Sequence, residues 1–174
     1  EQNGYNSVPP YSGYSGDGYI TWRGSSNFND ASAGQFGNFS FTVEISDPGT
    51  YTLSVRNRHR DPDPTEENDN WLRVTNTQTG AILPGPHAVA NDYYKLFSNS
   101  AQSNQQWVWQ YNVENHPDHN GGNFPPFNEF FATGTYLFEI SGRSEGMSLD
   151  RLVLAPAGSS AFGDLSLPET TTCQ

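Results

Sequence analysis

Between Gln35 and Gly49 the chain reads QFGNFSFTVEISDPG, with Phe39, Phe41, Val43 and Ile45 at alternate positions and Ser40, Thr42, Glu44 and Ser46 between them. Asp47-Pro48-Gly49 follows at once. Successive side chains of a strand point to opposite faces, so this spacing predicts an antiparallel strand with one face on a core and one in water, ended by a turn. The alternation returns at Tyr51, Leu53 and Val55, at Leu72 and Val74, at Trp107, Trp109, Tyr111 and Val113, at Tyr136, Phe138 and Ile140, and in the run Leu152, Val153, Leu154. Gly, Pro, Asn, Asp and Ser clusters separate these segments, and no stretch carries an apolar stripe at helical spacing. Strands are predicted over 19–22, 38–46, 50–58, 70–76, 93–97, 106–113, 135–141 and 148–154. The fold class is all-β, an antiparallel β-sandwich of jelly-roll type.

A chain of 174 residues reads as one such unit over 1–157, followed by a Ser/Thr/Pro-type linker or tail over 158–174. Residues 1–18, with Pro9-Pro10 and the cluster Tyr11, Gly13, Tyr14, Gly16, Gly18, read as an extended lead-in with tight turns. Only 33% of residues are hydrophobic while 14% are aromatic, so Phe, Tyr and Trp must carry much of the core. Two connections, HRDPDPTEEND over 59–69 and ENHPDHNGGNFPPFNEF over 114–130, exceed what a hairpin needs. Loops of that length carry function or are ordered by local packing or metal, so they are the first places to look for a site.

A formal charge of -11 argues against nucleic acid and against an anionic membrane surface as partners. No stretch approaches the roughly 20 apolar residues of a membrane helix. Cys173 is the only cysteine and has no partner for an internal disulfide. The chain starts at Glu1 and reads as a mature or excised module, monomeric, of a larger secreted or extracellular protein.

The stretch GDGYITW, Gly16 to Trp22, together with the closing SGRSEGMSLDRLVL, Ser141 to Leu154, resembles the family 6 and family 35 carbohydrate-binding modules. Those modules open with an acidic strand, pass through a glycine-aromatic stretch, continue with a strand at a Gly-Thr-Tyr turn and close with a short (S/N)-I-D-x-I-x-L strand. Gly49-Thr50-Tyr51 and the segment from Ser148 to Leu154 match the last two features. The order of the pieces over 16–155 carries the resemblance. The stretch RNRHRDPDPTEENDNWLRV, Arg56 to Val74, is similar to modules of marine bacterial enzymes that degrade algal galactans. The resemblance implies a galactose-binding-like sandwich that binds a polysaccharide such as agarose or porphyran without catalysis and targets a covalently attached catalytic domain to it. It also implies a structural Ca2+ held by Glu1 and Asp150, although the usual Glu-x-Glu opening is here Glu1-Gln2-Asn3.

Candidate binding residues follow from the pattern. Trp107, Trp109 and Tyr111 share a strand face, which is either core or a platform for the C–H face of a pyranose, with one of the two tryptophans expected to reach ligand. Leu72 and Val74 take the core face of their strand, so Trp71 is expected to point away, beside the long polar loop, and to stack on ligand. Arg56, Arg58 and Arg60 alternate away from Leu53 and Val55, where a guanidinium either donates paired hydrogen bonds to a glycan or pairs with the acids that follow. Asn68 joins them as a hydrogen-bonding candidate, and Arg143 and Glu145 lie where the resembled modules place a ligand contact.

The run Asp61, Asp63, Glu66, Glu67, Asp69 reads as a solvated loop or a calcium cradle. His116, Asp118 and His119 form an incomplete zinc set. A small β-sandwich polysaccharide lyase or hydrolase remains an alternative, though the chain has no G-x-S-x-G elbow. An adhesive or structural module is the other.

Overall fold

The computed structural model describes residues 5–6, 11–59, 61, 63, 66–83, 90–97, 106–110, 114–116, 127–159, 163, 165–166 and 168. Among them the chain forms the strands β1 (Tyr5–Asn6), β2 (Ile20–Trp22), β3 (Phe39–Ile45), β4 (Gly49–Arg58), β5 (Asp69–Asn76), β6 (Ile82–Leu83), β7 (Tyr94–Phe97), β8 (Val108–Gln110), β9 (Glu114–His116), β10 (Asn128–Phe131), β11 (Gly134–Gly142) and β12 (Ser148–Pro156). Single 3-10 turns sit at Asp30–Ser32 and Ala90–Asp92. No helix among the described residues is long and apolar enough to cross a membrane.

The strands make two antiparallel sheets. The first runs β1-β2-β12-β4-β10, with β8 also pairing β4, and the second runs β3-β11-β5-β7-β9, with β6 pairing β5. Each segment expected to be a strand is present. The short β1, β6, β9 and β10 were not expected, and of the strand expected over 106–113 the described part is Val108–Gln110.

Alternation sets which side chains meet between the sheets. On β3 the Phe39, Phe41, Val43, Ile45 face packs on the core, and β11 runs beside it from Gly134 opposite Ile45 to Ile140 opposite Phe39. Leu53 and Val55 from β4 face Leu72 and Val74 from β5 across a dry interior that also takes Tyr94, Leu96, Met147 and Leu149. Aromatic rings span the gap. Phe138 of β11 stacks on Phe41 at 5.3 Å and on Phe131 of β10 at 6.3 Å, and Phe131 takes the edge of Tyr136 at 4.7 Å. Offset and edge contacts of this kind add to the burial of large rings. The buried Trp22 indole lies against the end of β11: a Cβ on Gly142 would lie 2.4 Å from it, so only glycine fits there.

Phe138→Ala empties the middle of this stack and is expected to cost about 3–5 kcal/mol, read as a lower midpoint in urea unfolding. Tyr94 sets a limit at alkaline pH. Its complete burial, and next the nearby Glu129 charge, push its hydroxyl well above the ordinary value of 10.0. Above that pH the unfolded chain ionises while the folded chain keeps its proton, so stability falls as pH rises past about 10. Tyr94→Phe is expected to flatten that loss in chemical denaturation followed across pH 8 to 11.

Candidate functional site

With Leu53 and Val55 facing inward, the outward side chains of β4 end in Arg56 and Arg58. β8 pairs with β4 so that Trp109 lies opposite Arg56. The lead-in segment 11–19 folds over this outer face of the first sheet. The Trp107 indole N–H donates to the Ser12 carbonyl at 3.0 Å, and its ring meets Tyr19 edge-on at 4.9 Å. Tyr19 in turn stacks on Tyr11 at 5.7 Å and contacts Tyr14 at 5.6 Å. The Arg58 guanidinium lies 4.0 Å from the Tyr11 ring and that of Arg56 lies 5.8 Å from Trp107. Guanidinium over aromatic face is a favourable electrostatic contact that also holds both groups in place.

Tyr11 continues the strip at its other end, where it lines a narrow crevice with Thr21, Trp22, Arg23, Glu145 and Gly146. Arg23 and Glu145 are exposed, and Tyr11, Tyr14, Arg58, Trp107 and Trp109 are half-buried. Burial, opposed by the hydrogen bond from the Tyr11 backbone, raises the Tyr19 hydroxyl above its ordinary value, so it stays a neutral donor and acceptor. Trp109 Nε1 and Arg58 Nε are buried without an acceptor among the described residues. The strip thus joins Arg58, Trp107, Trp109 and Glu145, four of the residues expected to bind.

The other expected residues sit elsewhere. Trp71 leaves the core face, as alternation predicts, but it does not reach solvent. The segment 27–36 folds back over it, tied by Asn27 N–H to the Arg143 carbonyl (2.7 Å), Gly142 N–H to the Phe36 carbonyl (2.9 Å) and Ser141 Oγ to the same carbonyl (2.7 Å). Trp71 is buried with Ala33 and Tyr93, and its indole N–H donates to the Asn27 carbonyl at 3.1 Å. It is scaffold and no stacking platform.

Arg143 is likewise buried, with its guanidinium 4.9 Å from Trp71 and 5.0 Å from Phe28 and paired with Asp69. Asn68 is buried beside it in sequence. Neither is open to a ligand. Arg60 lies outside the described residues.

The calcium expectation meets a different chemistry. Asp150 has no exposed side-chain surface: Arg56 grips one carboxylate oxygen, and the other accepts from the Ser15 N–H at 2.8 Å and its hydroxyl at 3.0 Å. A guanidinium already supplies the positive charge, so Asp150 does not fit a metal ligand, and Glu1 lies outside the described residues. In the acidic loop, Glu67 accepts from the Asp61 N–H at 2.9 Å and Asp61 from the Asp63 N–H at 2.8 Å, so these carboxylates fold their own loop. No group of three or more His, Cys, Asp or Glu among the described residues is placed to hold a metal ion. His116 lies in β9, and Asp118 and His119 lie outside the described residues.

Sequence reasoning treated Tyr11 and Tyr14 only as a lead-in and Tyr19 as the start of a strand. The repeated tyrosine-glycine spacing in YSGYSGDGY was the signal that the segment packs as a ring cluster.

No protein-family model and no curated protein matches the chain. Among solved structures it is similar to the Podospora anserina GH26-CBM35 beta-(1,4)-mannanase, with TM-score 0.49 and 15% identity, over 90% of this chain and 25% of that one. It is also similar to a family 35 carbohydrate binding module from an environmental isolate, with TM-score 0.48 and 13% identity over 89% and 88% of the two chains. A third, CBM35 from Cellvibrio japonicus Abf62, gives 0.43 and 12% over 88% of each chain. The chain therefore spans about a quarter of the length of the mannanase structure.

Arg143→Met leaves Asp69 short of its main cation in a buried setting, and breaking such a pair costs about 3–5 kcal/mol. The variant is expected to unfold at clearly lower urea, as seen by tryptophan fluorescence; an unchanged midpoint would remove Arg143 from the scaffold.

Proposed function

We propose that the protein is a non-catalytic carbohydrate-binding module that lays a polysaccharide along the strip from Glu145 and Arg23 past Tyr11 and Arg58 to Trp107. The observation that carries this reading is the run of half-buried rings held open at the surface by arginines and backbone hydrogen bonds. Aromatic faces with interleaved donors suit sugar rings, which present C–H on their faces and hydroxyls at their rims. It is also the class of ligand that the sequence resemblance implies.

The charge of the strip favours a neutral polymer. Arg56 is paired with Asp150, Arg23 shares its crevice with the carboxylate of Glu145, and the whole chain carries -11, which opposes a sulfated or uronate-bearing glycan. Among neutral polymers we place an agar-type algal galactan first, on the resemblance of the Arg56 to Val74 stretch. A few stacks and hydrogen bonds leave modest affinity once ordering and desolvation are subtracted. Attachment to a catalytic domain then acts by raising effective concentration at the polymer.

Affinity electrophoresis through agarose, porphyran, carrageenan, alginate, xylan and laminarin tests the reading. Retardation by agarose is expected, and Trp107→Ala is expected to weaken it about tenfold, equivalent to roughly 1.4 kcal/mol. Unchanged mobility in all six gels removes the proposal, and new reducing ends on incubation with the retarding polymer would overturn its non-catalytic part.

A further inference from the structure

A second concave site lies on the opposite side of the molecule, on the outer face of the second sheet. A cavity of about 350 Å3 opens there, lined by Asn38, Ser40, Arg73, Asn91, Tyr93 and Glu139 among others. Its floor is a row across three strands: Glu139 of β11 lies opposite Ser40 of β3 on one side and Arg73 of β5 on the other. Arg73 grips Glu139 with two hydrogen bonds, 2.6 Å from Nε and 2.9 Å from Nη2, and donates a third to the Asn91 carbonyl at 3.0 Å. Its guanidinium lies 4.8 Å from the Tyr93 ring.

The walls turn sharply against the sheet. Asn91 and Asp92 adopt φ of 62° and 59°, sparsely populated for non-glycine residues, and the Asn91 amide donates to the Ala33 carbonyl at 3.3 Å. Gly34, at φ 76°, approaches Tyr93 so closely that a Cβ would lie 2.4 Å from its ring. Strain of this kind gathers where a site is shaped in advance.

The chemistry of the lining is narrow. Arg73 and Glu139 neutralise each other, so the cavity has no net charge to offer a phosphate, sulfate or metal ion. What remains is a set of short-range donors and acceptors: the amide oxygens and second N–H directions of Asn38, which also donates to the Gly34 carbonyl at 2.6 Å, and of Asn91, the Ser40 hydroxyl and a carboxylate fixed by its guanidinium. The volume lies at the low end of small-molecule sites, roughly 300–1,000 Å3, and suits one ring. We propose that this cavity is a second binding site, for a single neutral polyhydroxyl ring, either a monosaccharide or the end residue of a glycan chain. It shares its ligand class with the function proposed above and uses none of the same residues.

Saturation-transfer NMR with D-galactose, D-glucose, D-mannose and D-xylose at millimolar concentration tests it on the whole chain. At least one sugar is expected to give a signal that survives the Arg58→Ala, Trp107→Ala double variant. Ser40→Trp, a strand position already open to solvent, is expected to abolish that signal by filling the cavity. Asn38→Ala, on the exposed rim, is expected to weaken it about tenfold, through loss of hydrogen bonding to the ring and of the Asn38 amide bond to the Gly34 carbonyl that holds the wall. A signal unchanged by both cavity variants, or one lost in the double variant instead, overturns the second site. Absence of signal from all four sugars while a polysaccharide still retards the protein overturns it and leaves the first strip standing; absence of both signal and retardation sinks the two together.

Discussion

The buried Asp69 carboxylate is the constraint around which one end of the sandwich is arranged. It takes the Arg143 guanidinium on one oxygen and the Ser144 hydroxyl on the other, with Lys95 at 3.4 Å. A charge removed from water is tolerable only when its partners are fixed, so all three must be held in register. That requirement ties the β11–β12 turn to the start of β5, which the Ser144 N–H to Asp69 carbonyl bond of 3.2 Å repeats in the backbone. It also aligns Arg143 over Trp71, and thereby seats the segment 27–36 that covers both. Glu145, the next residue of the same turn, is left at the surface, and with the buried Gly146 it lines the crevice at the end of the strip.

The two sheets share this logic on their outer faces. In most sandwiches the outer face is simply wetted, but here non-strand segments lie across each one, and what they leave uncovered differs. The segment 11–19 covers the first sheet with a buried Tyr19 and the half-buried rings of Tyr11 and Tyr14, giving a shallow, extended strip. The segment 27–36 covers the second more completely, burying Trp71, and stops at Gly34 against Tyr93, giving a confined cavity. A long polymer suits the former shape and a single ring the latter. Both outcomes follow from small and polar residues in the covering segments, which let backbone approach a sheet surface closely.

Period-two alternation made the frame legible because burial in a sandwich selects side chains position by position. It placed Leu53, Val55, Leu72, Val74, Phe138 and Ile140 in the core, and it sent Arg56, Arg58 and Trp71 outward. It is silent about what covers an outward face. Trp71 and Arg143 were misjudged for that reason: the segment that buries them has no periodicity, and its contacts are backbone hydrogen bonds that side-chain identity does not announce. Asp150 was misjudged through register. The β12 ladder shifts between Leu149 and Arg151, and the bulge turns Asp150 toward Arg56. β10 was hidden because Asn128-Glu129-Phe130-Phe131 follows a proline- and glycine-rich loop, yet Phe131 is one of the central rings of the core.

Charge pairing links the scaffold to the choice of ligand. Among the described residues, Arg56, Arg73, Lys95 and Arg143 are committed to ion pairs with Asp150, Glu139 or Asp69; the pairs on Asp150 and Asp69 are largely removed from solvent and Arg73–Glu139 is half-buried. Arg58 is laid on Tyr11. An anionic polymer would have to draw these cations away from partners that would then remain buried and uncompensated, at a cost larger than a surface ion pair returns. On the proposed reading a neutral glycan would ask nothing of the kind, since it would use ring faces and the remaining N–H directions of groups already fixed. The acidity of the whole chain acts in the same sense at longer range, so that the arginines which first look like anion receptors serve chiefly to stiffen aromatic surfaces.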